Sequence, residues 1–286
     1  MSKKNIVIGG VVVALAALGV ILWAGLPKND SDGEEDDDLT AYVVSENVIN
    51  LSDYPENSKV KITTAGNYVV SGKLVGKLAI RSDGEVRLIF DNAEITNDKG
   101  DGINSNGDLI IDGGSVVISA EDDGMHADGD LTINDGTIKI TKSYEGIEAT
   151  NLVINGGVID VVASDDGLNG AGGTDNSGAT NVATNGRGGR DNFSSSKGTI
   201  VINGGTITIA AAGSGSGDGL DANGTLTITG GDIVIKTPSS ARDYESLDAD
   251  GVITISGGSV RALSASGVYT DLSKTVSGGA GFGGRR

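Results

Sequence analysis

A repeat of about 22 residues constrains the fold of this chain more than any other feature. An acidic residue followed by a small residue and then an apolar one returns along the chain, and the first three steps are 22, 22 and 21 residues long. A unit this short cannot bury a hydrophobic face alone, so successive units must stack on one another. The repeats begin at Asp101, Asp123, Glu145, Asp166, Asp218 and Glu245.

Within each repeat, short stretches such as "LTINDGTIKI" alternate apolar and polar residues, which is typical of β-strands. A turn dipeptide such as Asp135-Gly136 or Gly204-Gly205 recurs at a fixed phase, and the composition of 47 glycines and 3 prolines suits repeated tight turns. The leucine-rich signature and the calcium-binding glycine-rich nonapeptide are both missing. The pattern predicts an all-β, right-handed parallel β-helix with two or three short strands in each coil.

The N-terminus carries a different signal. Lys3 and Lys4 precede an uncharged apolar run from Ile6 to Leu26, which is long enough to span a bilayer as a helix. The positive-inside rule then places the rest of the chain outside the cytoplasm, anchored to the membrane. A cleaved signal helix, with secretion, is the alternative interpretation. Residues 1–27 are therefore predicted to be an anchor or signal segment.

The remaining boundaries follow from composition. Residues 28–39 are an acidic linker, residues 40–270 are the β-helix, and residues 271–286 are a glycine-rich tail. Within the β-helix, residues 40–80 are predicted to form an N-terminal cap. Residues 172–198, rich in Gly, Ser and Asn, interrupt the repeat as an inserted loop.

Stacking turns the recurring acids into ladders along the solenoid. Equivalent residues of successive coils lie about 4.8 Å apart, so the acids at the start of each repeat form a first ladder. At that spacing, like charges repel by roughly 3 kcal/mol per pair at an effective dielectric constant near 20. These side chains must therefore turn into water or be neutralised by a cation. A second ladder lies three residues later and contains Asn104, His126, Glu148, Asn169, Asp221 and Asp248.

Calcium is the cation that suits these side chains, because it takes six to eight oxygen ligands with tolerant geometry. The alternative is that Asp-Gly merely forms turns, and this interpretation is favoured for Asp101. His126 is the only histidine and is expected to be an exposed member of its ladder. With one histidine and no cysteine, a thiolate zinc site or a Ser-His-Asp triad is disfavoured. The predicted calcium ligands are Asp122, Asp123, Glu145, Glu148, Asp165 and Asp166 in a central set, and Asp218, Asp221, Asp243, Glu245 and Asp248 in a second set.

The segment "DDGMHADGDLTINDGTIKITKSYEGIEATNLVINGGVIDVVASDDGLNGAGG" resembles a bacterial carbohydrate-binding β-helix family of surface proteins. The likeness covers roughly residues 80 to 265, and its more specific strings are "SYEGIEA" and "SDDGLN". The family binds calcium, cellulose and acidic pectic polysaccharide, and its fold is similar to that of family 9 pectate lyases. The resemblance implies calcium at the acidic coils and a non-catalytic binding role.

Charge and aromatic content narrow the ligand. A net charge of −18 excludes nucleic acid as a partner and would repel an acidic polysaccharide unless calcium bridges the two. Aromatic residues make up only 3% of the chain, which favours a calcium-bridged polyuronate over a flat crystalline glucan. Tyr144 and Tyr244 each precede a first-ladder acid, and guanidinium groups in the insertion suit uronate carboxylates. The predicted carbohydrate contacts are Tyr144, Lys142, Tyr244, Arg187 and Arg190.

These features predict a protein that binds polysaccharide at the cell surface without cleaving it. Two alternatives remain open. In a polysaccharide lyase, calcium would hold the uronate carboxylate while a lysine, Lys142 or Lys139, removed the C5 proton. In a structural stalk or adhesin, calcium would stiffen the solenoid without any sugar.

Overall fold

The computed structural model describes residues 7–8, 11–12, 39–44, 46–170, 197–211, 217–236, 245–263 and 267–273. From residue 39 onward these residues form an all-β solenoid in which strands pair in parallel with their equivalents one coil later, except that the last strand, Tyr269–Asp271, pairs antiparallel with the strand before it. The predicted parallel β-helix is confirmed, while its right-handed sense stays a prediction. The first strands are β1 (Val7–Ile8), β2 (Val11–Val12), β3 (Thr40–Val44), β4 (Val48–Asn50), β5 (Ser58–Ile62), β6 (Gly66–Ile80) and β7 (Val86–Asn97), with a 3₁₀ turn at Leu51–Asp53.

The later strands follow the sequence repeat. Long strands such as β9 and β10 turn a corner and contribute to two faces of the solenoid. The strands are β8 (Ile103–Ser105), β9 (Leu109–Ala120), β10 (Met125–Ile133), β11 (Thr137–Lys142), β12 (Ile147–Ile154), β13 (Val158–Ala163), β14 (Leu168–Gly170), β15 (Thr199–Ile202), β16 (Thr206–Ala211), β17 (Leu220–Ala222), β18 (Leu226–Ile228), β19 (Asp232–Ile235), β20 (Ile253–Ile255), β21 (Ser259–Leu263) and β22 (Tyr269–Asp271).

Each coil contributes to three parallel ladders of strands. We call the ladder that carries the acidic residues face A, and its members are Ile103–Ser105, the start of β10, the start of β12, β14 and β17. Face B runs through Leu109, Leu131, Leu152, Ile200, Leu226 and Ile253. Face C runs through Val116, Ile138, Ile159, Ile207, Ile233 and Val260.

The core fills the space between the faces. Alternate residues of each strand point inward, as the period of two requires, and form stacks of aliphatic side chains that are almost fully buried. On face A one such stack contains Ile103, Met125, Ile147, Leu168, Leu220 and Leu247, none of them more than 5% exposed. A continuous stack of this kind supplies the hydrophobic stabilisation that no single coil could provide.

The glycine that follows each acid is a packing requirement. Gly124 and Gly146 do not adopt a positive φ. A Cβ at Gly146 would lie 2.2 Å from the Gly167 carbonyl oxygen and 2.3 Å from Val161. Asp-Gly therefore recurs because the chain crosses the face A to face C corner in close contact with the next coil, and the interpretation of this dipeptide as a simple turn is incomplete.

The predicted turn glycines do adopt positive φ. Gly136 has φ 121°, Gly157 has φ 93° and Gly205 has φ 97°, a region that costs other residues energy. Beside this turn runs a row of side-chain hydrogen bonds that we call the amide ladder. In it each side chain donates to the equivalent residue of the preceding coil at 2.8–2.9 Å, and the row begins at Arg87, which binds Asp112 through two nitrogens at 2.7 Å. The donors are Asn134, Asn155, Asn203 and Thr229.

The predicted N-terminal helix is not found in the described residues. Within the predicted segment 1–27 the structure describes four residues, which form two short antiparallel strands, Val7–Ile8 and Val11–Val12. Valine and isoleucine favour such extended backbone. None of the helices formed by the described residues is long and apolar enough to cross a membrane.

The predicted N-terminal cap, residues 40–80, forms coils of the solenoid. In these residues β3 pairs in parallel with β5, and β5 pairs in parallel with β6. The insertion at 172–198 lies outside the described residues except for its last two, and the tail at 271–286 lies outside them after Ser273.

Candidate cation and carbohydrate site

The two predicted ladders run side by side on face A. In the second ladder, His126 pairs in register with Glu148, Glu148 with Asn169, and Asn169 with Asp221. Both ladders are largely withdrawn from solvent, so their side chains do not turn into water. The expectation that His126 is exposed is wrong, since it is only 8% exposed. The buried ladder members are Asp101, Asn104, Asp123, His126, Glu145, Glu148, Asp166, Asn169 and Asp218.

First-ladder carboxylates bind the backbone of the following coil. Asp101 Oδ1 accepts the N–H of Asp123 at 3.2 Å, and Asp123 Oδ1 accepts the N–H of Glu145 at 3.3 Å. The same bond joins the coils on the two sides of the insertion, where Asp166 Oδ1 accepts the N–H of Asp218 at 2.5 Å, and Asp218 Oδ1 in turn accepts the N–H of Glu245 at 2.5 Å. Each of these aspartates therefore helps to fix the coil register, and this use of one oxygen leaves the other available for a further partner.

At the N-terminal end of face A, a lysine neutralises the first acid. Lys77 Nζ lies 3.4 Å from Asp101 Oδ2, and both side chains are at most one-tenth exposed. Asn104 Nδ2 donates to the same oxygen at 2.7 Å. Burial raises the pKa of Asp101, but Lys77, His126 and these hydrogen bonds outweigh it, so the pKa is lowered and the carboxylate is ionised.

One coil later, His126 lies among three carboxylates. Its Nδ1 is 3.2 Å from both Asp123 Oδ2 and Glu148 Oε2, and its Nε2 is 3.1 Å from Asp128 Oδ1. Burial lowers the pKa of His126, yet these three neighbours together raise it well above its usual value. We call Asp123, His126 and Glu148 the histidine triad; its ligand atoms lie within 4.8 Å of one another.

Toward the C-terminus an equivalent group forms from carboxylates alone. Asp218, Asp221 and Asp248 bring their oxygens within 4.8 Å, and we call them the aspartate triad. Asp221 and Asp248 are half-buried, so this triad opens to solvent on one side. Among the described residues, no lysine, arginine or histidine forms an ion pair with Asp218 or Asp248.

Burial and mutual repulsion perturb these acids strongly. Burial first, and then the charges of Asp221, Asp248 and Glu245, raise the pKa of Asp218 to about 8 despite its hydrogen bond to the backbone. Burial and the charges of neighbouring acids raise the pKa of Asp166 well above its usual value in the same way. A cation placed here would remove this repulsion.

Two buried oxygens on this part of face A have no hydrogen-bond partner among the described residues: Asn169 Oδ1 and Glu245 Oε2. Asn169 is 3% exposed, and its Nδ2 donates to Glu145 Oε2 at 2.8 Å in the preceding coil. Because the amide is trigonal, Oδ1 points away from that coil, toward the side where Asp221 is the register partner. An amide oxygen and carboxylates facing one another form an all-oxygen donor set that fits a hard cation such as calcium.

The structure divides the predicted central calcium set among different partners. Asp122 groups with Asp101 and Asp123, whereas Asp165 is hydrogen-bonded by the side chain of Tyr144. Burial and the charges of three neighbouring acids raise the pKa of Glu145 well above its usual value. Calcium binding by Asp122, Asp123, Glu145, Glu148, Asp165 and Asp166 stays a prediction.

The predicted sugar contacts are described only in part. Tyr144 is half-buried beside the acidic ladders, where it contacts Asp165. Lys142 is exposed and forms an ion pair with Glu121. The remaining predicted residues lie outside the described residues: Asp243, Tyr244, Arg187 and Arg190.

Sequence reasoning missed two contributors. Lys77 lies in a coil whose spacing departs from the repeat, so nothing aligned it with Asp101. Asn169 belongs to the predicted second ladder, but an uncharged amide does not stand out as a ligand among the carboxylates of the repeat. Its place in register between Glu148 and Asp221 was the signal that could have identified it.

Comparison with known proteins assigns the family. A sequence profile described as "Carbohydrate-binding domain-containing protein" matches residues 56–101, 98–152 and 146–281. No curated protein and no solved structure matches the chain. The matched stretches together span most of the chain and the whole acidic part of face A, as the sequence resemblance predicts. The chain therefore belongs to the carbohydrate-binding domain-containing protein family.

Proposed function

We propose that this protein binds an acidic polysaccharide without cleaving it, through calcium held at the aspartate triad. The observation that carries the proposal is the all-oxygen group on face A, with Asn169 Oδ1 buried and without a partner beside it. The family match supports carbohydrate as the ligand class. We further propose that the binding depends on calcium and that the sugar is acidic.

The proposed calcium ligands come from consecutive coils. Asp218 and Asp221 supply carboxylate oxygens from one coil and Asp248 from the next, while Asn169 and Glu245 border the same position. When bound, calcium supplies positive charge that cancels the mutual repulsion of these acids and attracts an external carboxylate. Since Asp221 and Asp248 are half-buried, the triad is open on its solvent side, where a uronate carboxylate can approach.

The negative charge of the chain makes the binding of an acidic sugar dependent on calcium. The chain carries a net charge of −18, so a polyanion is repelled unless a cation lies between the two surfaces. Tyr144 offers a half-buried aromatic ring at the edge of the same face. Its contact with Asp165 restricts the ring, which lowers the entropy lost when a sugar packs against it.

A binding role fits the surroundings of Lys142 better than a lyase role. The lysine considered as a base lies 61% exposed in an ion pair with Glu121. The amine is thus held by a carboxylate of the chain itself, whereas a general base needs direct access to the proton of the substrate. These surroundings of Lys142 support binding over cleavage as the proposed role of face A.

The test is retention of the full chain on immobilised polygalacturonate, with calcium and with chelator, while ultraviolet absorbance of unsaturated product is recorded. We expect retention only with calcium and no rise in absorbance. Asp248→Asn should lose retention, whereas Asp250→Asn, at an exposed position two residues away, should keep it. Rising absorbance would replace the proposal with a lyase. Chelator-sensitive stability without retention would replace it with a structural stalk.

A further inference from the structure

The histidine triad and the aspartate triad occupy equivalent positions of the solenoid. Each consists of a first-ladder acid, the second-ladder residue three positions later, and the second-ladder residue of the next coil. Asp123 and Asp218 are first-ladder equivalents, and the second-ladder register runs from His126 through Glu148 and Asn169 to Asp221. The third members are Glu148 and Asp248, the latter bonded through its N–H to the Leu220 carbonyl at 2.8 Å. The triads therefore differ chiefly at the middle position, which is His126 in one and Asp221 in the other.

That difference reverses the charge at the middle position. His126 uses two ring nitrogens to contact three carboxylates, at 3.1 and 3.2 Å. A neutral imidazole has one N–H and could donate on one side only, so contacts to ionised carboxylates, which only accept, through both nitrogens require the doubly protonated ring. The histidine triad therefore contains its own cation. In the aspartate triad the corresponding residue adds another negative charge.

The exposure of the two triads agrees with this difference in charge at the middle position. In the histidine triad the three members are 0–8% exposed, so the imidazole fills the space between Asp123 and Glu148. The aspartate triad has two half-buried members, and the unpartnered Asn169 Oδ1 faces its side of the coil. One triad is thus closed and has a positive charge between its carboxylates, whereas the other is open and lacks positive charge among its members.

We propose that His126 takes the place of a divalent cation at the histidine triad, so that one residue decides which of two equivalent positions binds calcium. The inference rests on the proposed calcium site, but it adds that the choice between the positions is set by the middle residue. It predicts that the two states can be exchanged by single substitutions.

The experiment is calcium titration of the full chain by isothermal titration calorimetry, combined with melting temperature in calcium and in chelator. Asp221→His should lose one calcium ion per chain relative to wild type, together with the calcium-dependent rise in melting temperature that this ion provides. His126→Asp should gain one calcium ion per chain and should show a larger melting-temperature difference between calcium and chelator. Asp250→His adds a histidine at an exposed position and should behave as wild type.

The outcomes separate the two proposals. A wild-type chain that binds no calcium overturns the proposed function. A wild-type chain that binds calcium, together with an Asp221→His variant of unchanged stoichiometry, overturns only the present inference. Circular dichroism in calcium checks the fold of each variant. If His126→Asp does not fold, the stoichiometry of Asp221→His alone decides.

Discussion

The two triads of face A show how one backbone arrangement can manage buried negative charge in two ways. In the histidine triad, an imidazole 3.2 Å from Asp123 and Glu148 supplies the positive charge from within the chain. In the aspartate triad, the carboxylates gather within the same 4.8 Å without such a partner among their own members. The repeat fixes where acids meet, and in our proposal a single residue decides whether the meeting point binds an external ion.

The largest expected effect is the loss of the internal cation. His126→Leu leaves Asp123 and Glu148 buried without their imidazolium, and removal of one partner from a buried ion pair costs about 3–5 kcal/mol. Urea denaturation in excess calcium should show this loss. A change below about 1 kcal/mol would mean that the histidine triad does not depend on its charge.

Removal of calcium should have the next largest effect and should be local. At a calcium concentration one hundred times Kd, the ion stabilises the folded state by about 2.7 kcal/mol. Chelation should therefore speed amide hydrogen exchange in residues 217–236 and 245–263, while residues 101–133 keep their protection. Uniform loss of protection along the solenoid would contradict the division between the triads.

The glycine that follows the first-ladder acid of each triad, Gly124 or Gly219, provides a reference that does not depend on calcium. A Cβ at Gly124 would lie 2.6 Å from the Gly146 carbonyl oxygen, and one at Gly219 would lie 2.5 Å from that of Ser246. Gly124→Ala and Gly219→Ala should each cost about 1–3 kcal/mol through overpacking. Thermal denaturation should give similar losses for the two variants, with or without chelator. A loss at Gly219 that disappears in chelator would indicate that its effect acts through the ion.

The smallest expected effect concerns the amide ladder, which lies between faces B and C and not on face A. Asn155→Ala removes two exposed hydrogen bonds of the amide ladder, to Asn134 and from Asn203, and should cost about 1 kcal/mol. Chemical denaturation should show the same loss in calcium and in chelator. Any calcium dependence of this variant would show that the whole coil, and not the triad alone, responds to the ion.

The sequence predicted the repeat, the parallel solenoid and the register of both ladders, because a fixed spacing places Asp101, Asp123 and Glu145 on successive coils. It did not predict how deeply the ladders are buried, since an alternating pattern cannot tell a covered outer face from a solvated one. The partner of Asp101 was also hidden, because Lys77 lies 24 residues earlier in a coil of different length. The role of His126 depended on three contacts that only the folded register brings together.

The amide ladder has a consequence for how such a protein can change in length. Asn134, Asn155 and Asn203 each donate one hydrogen bond to the preceding coil and accept one from the next, so the junctions between their coils are alike. Twenty-six undescribed residues, 171–196, separate the coils of Asn155 and Asn203, yet Asn203 donates across the junction at the same 2.9 Å as Asn155 does to Asn134. One of these coils could therefore be duplicated or deleted without leaving a mismatched junction in the amide ladder, and in our proposal the middle residue of a new coil would decide whether that coil binds an ion.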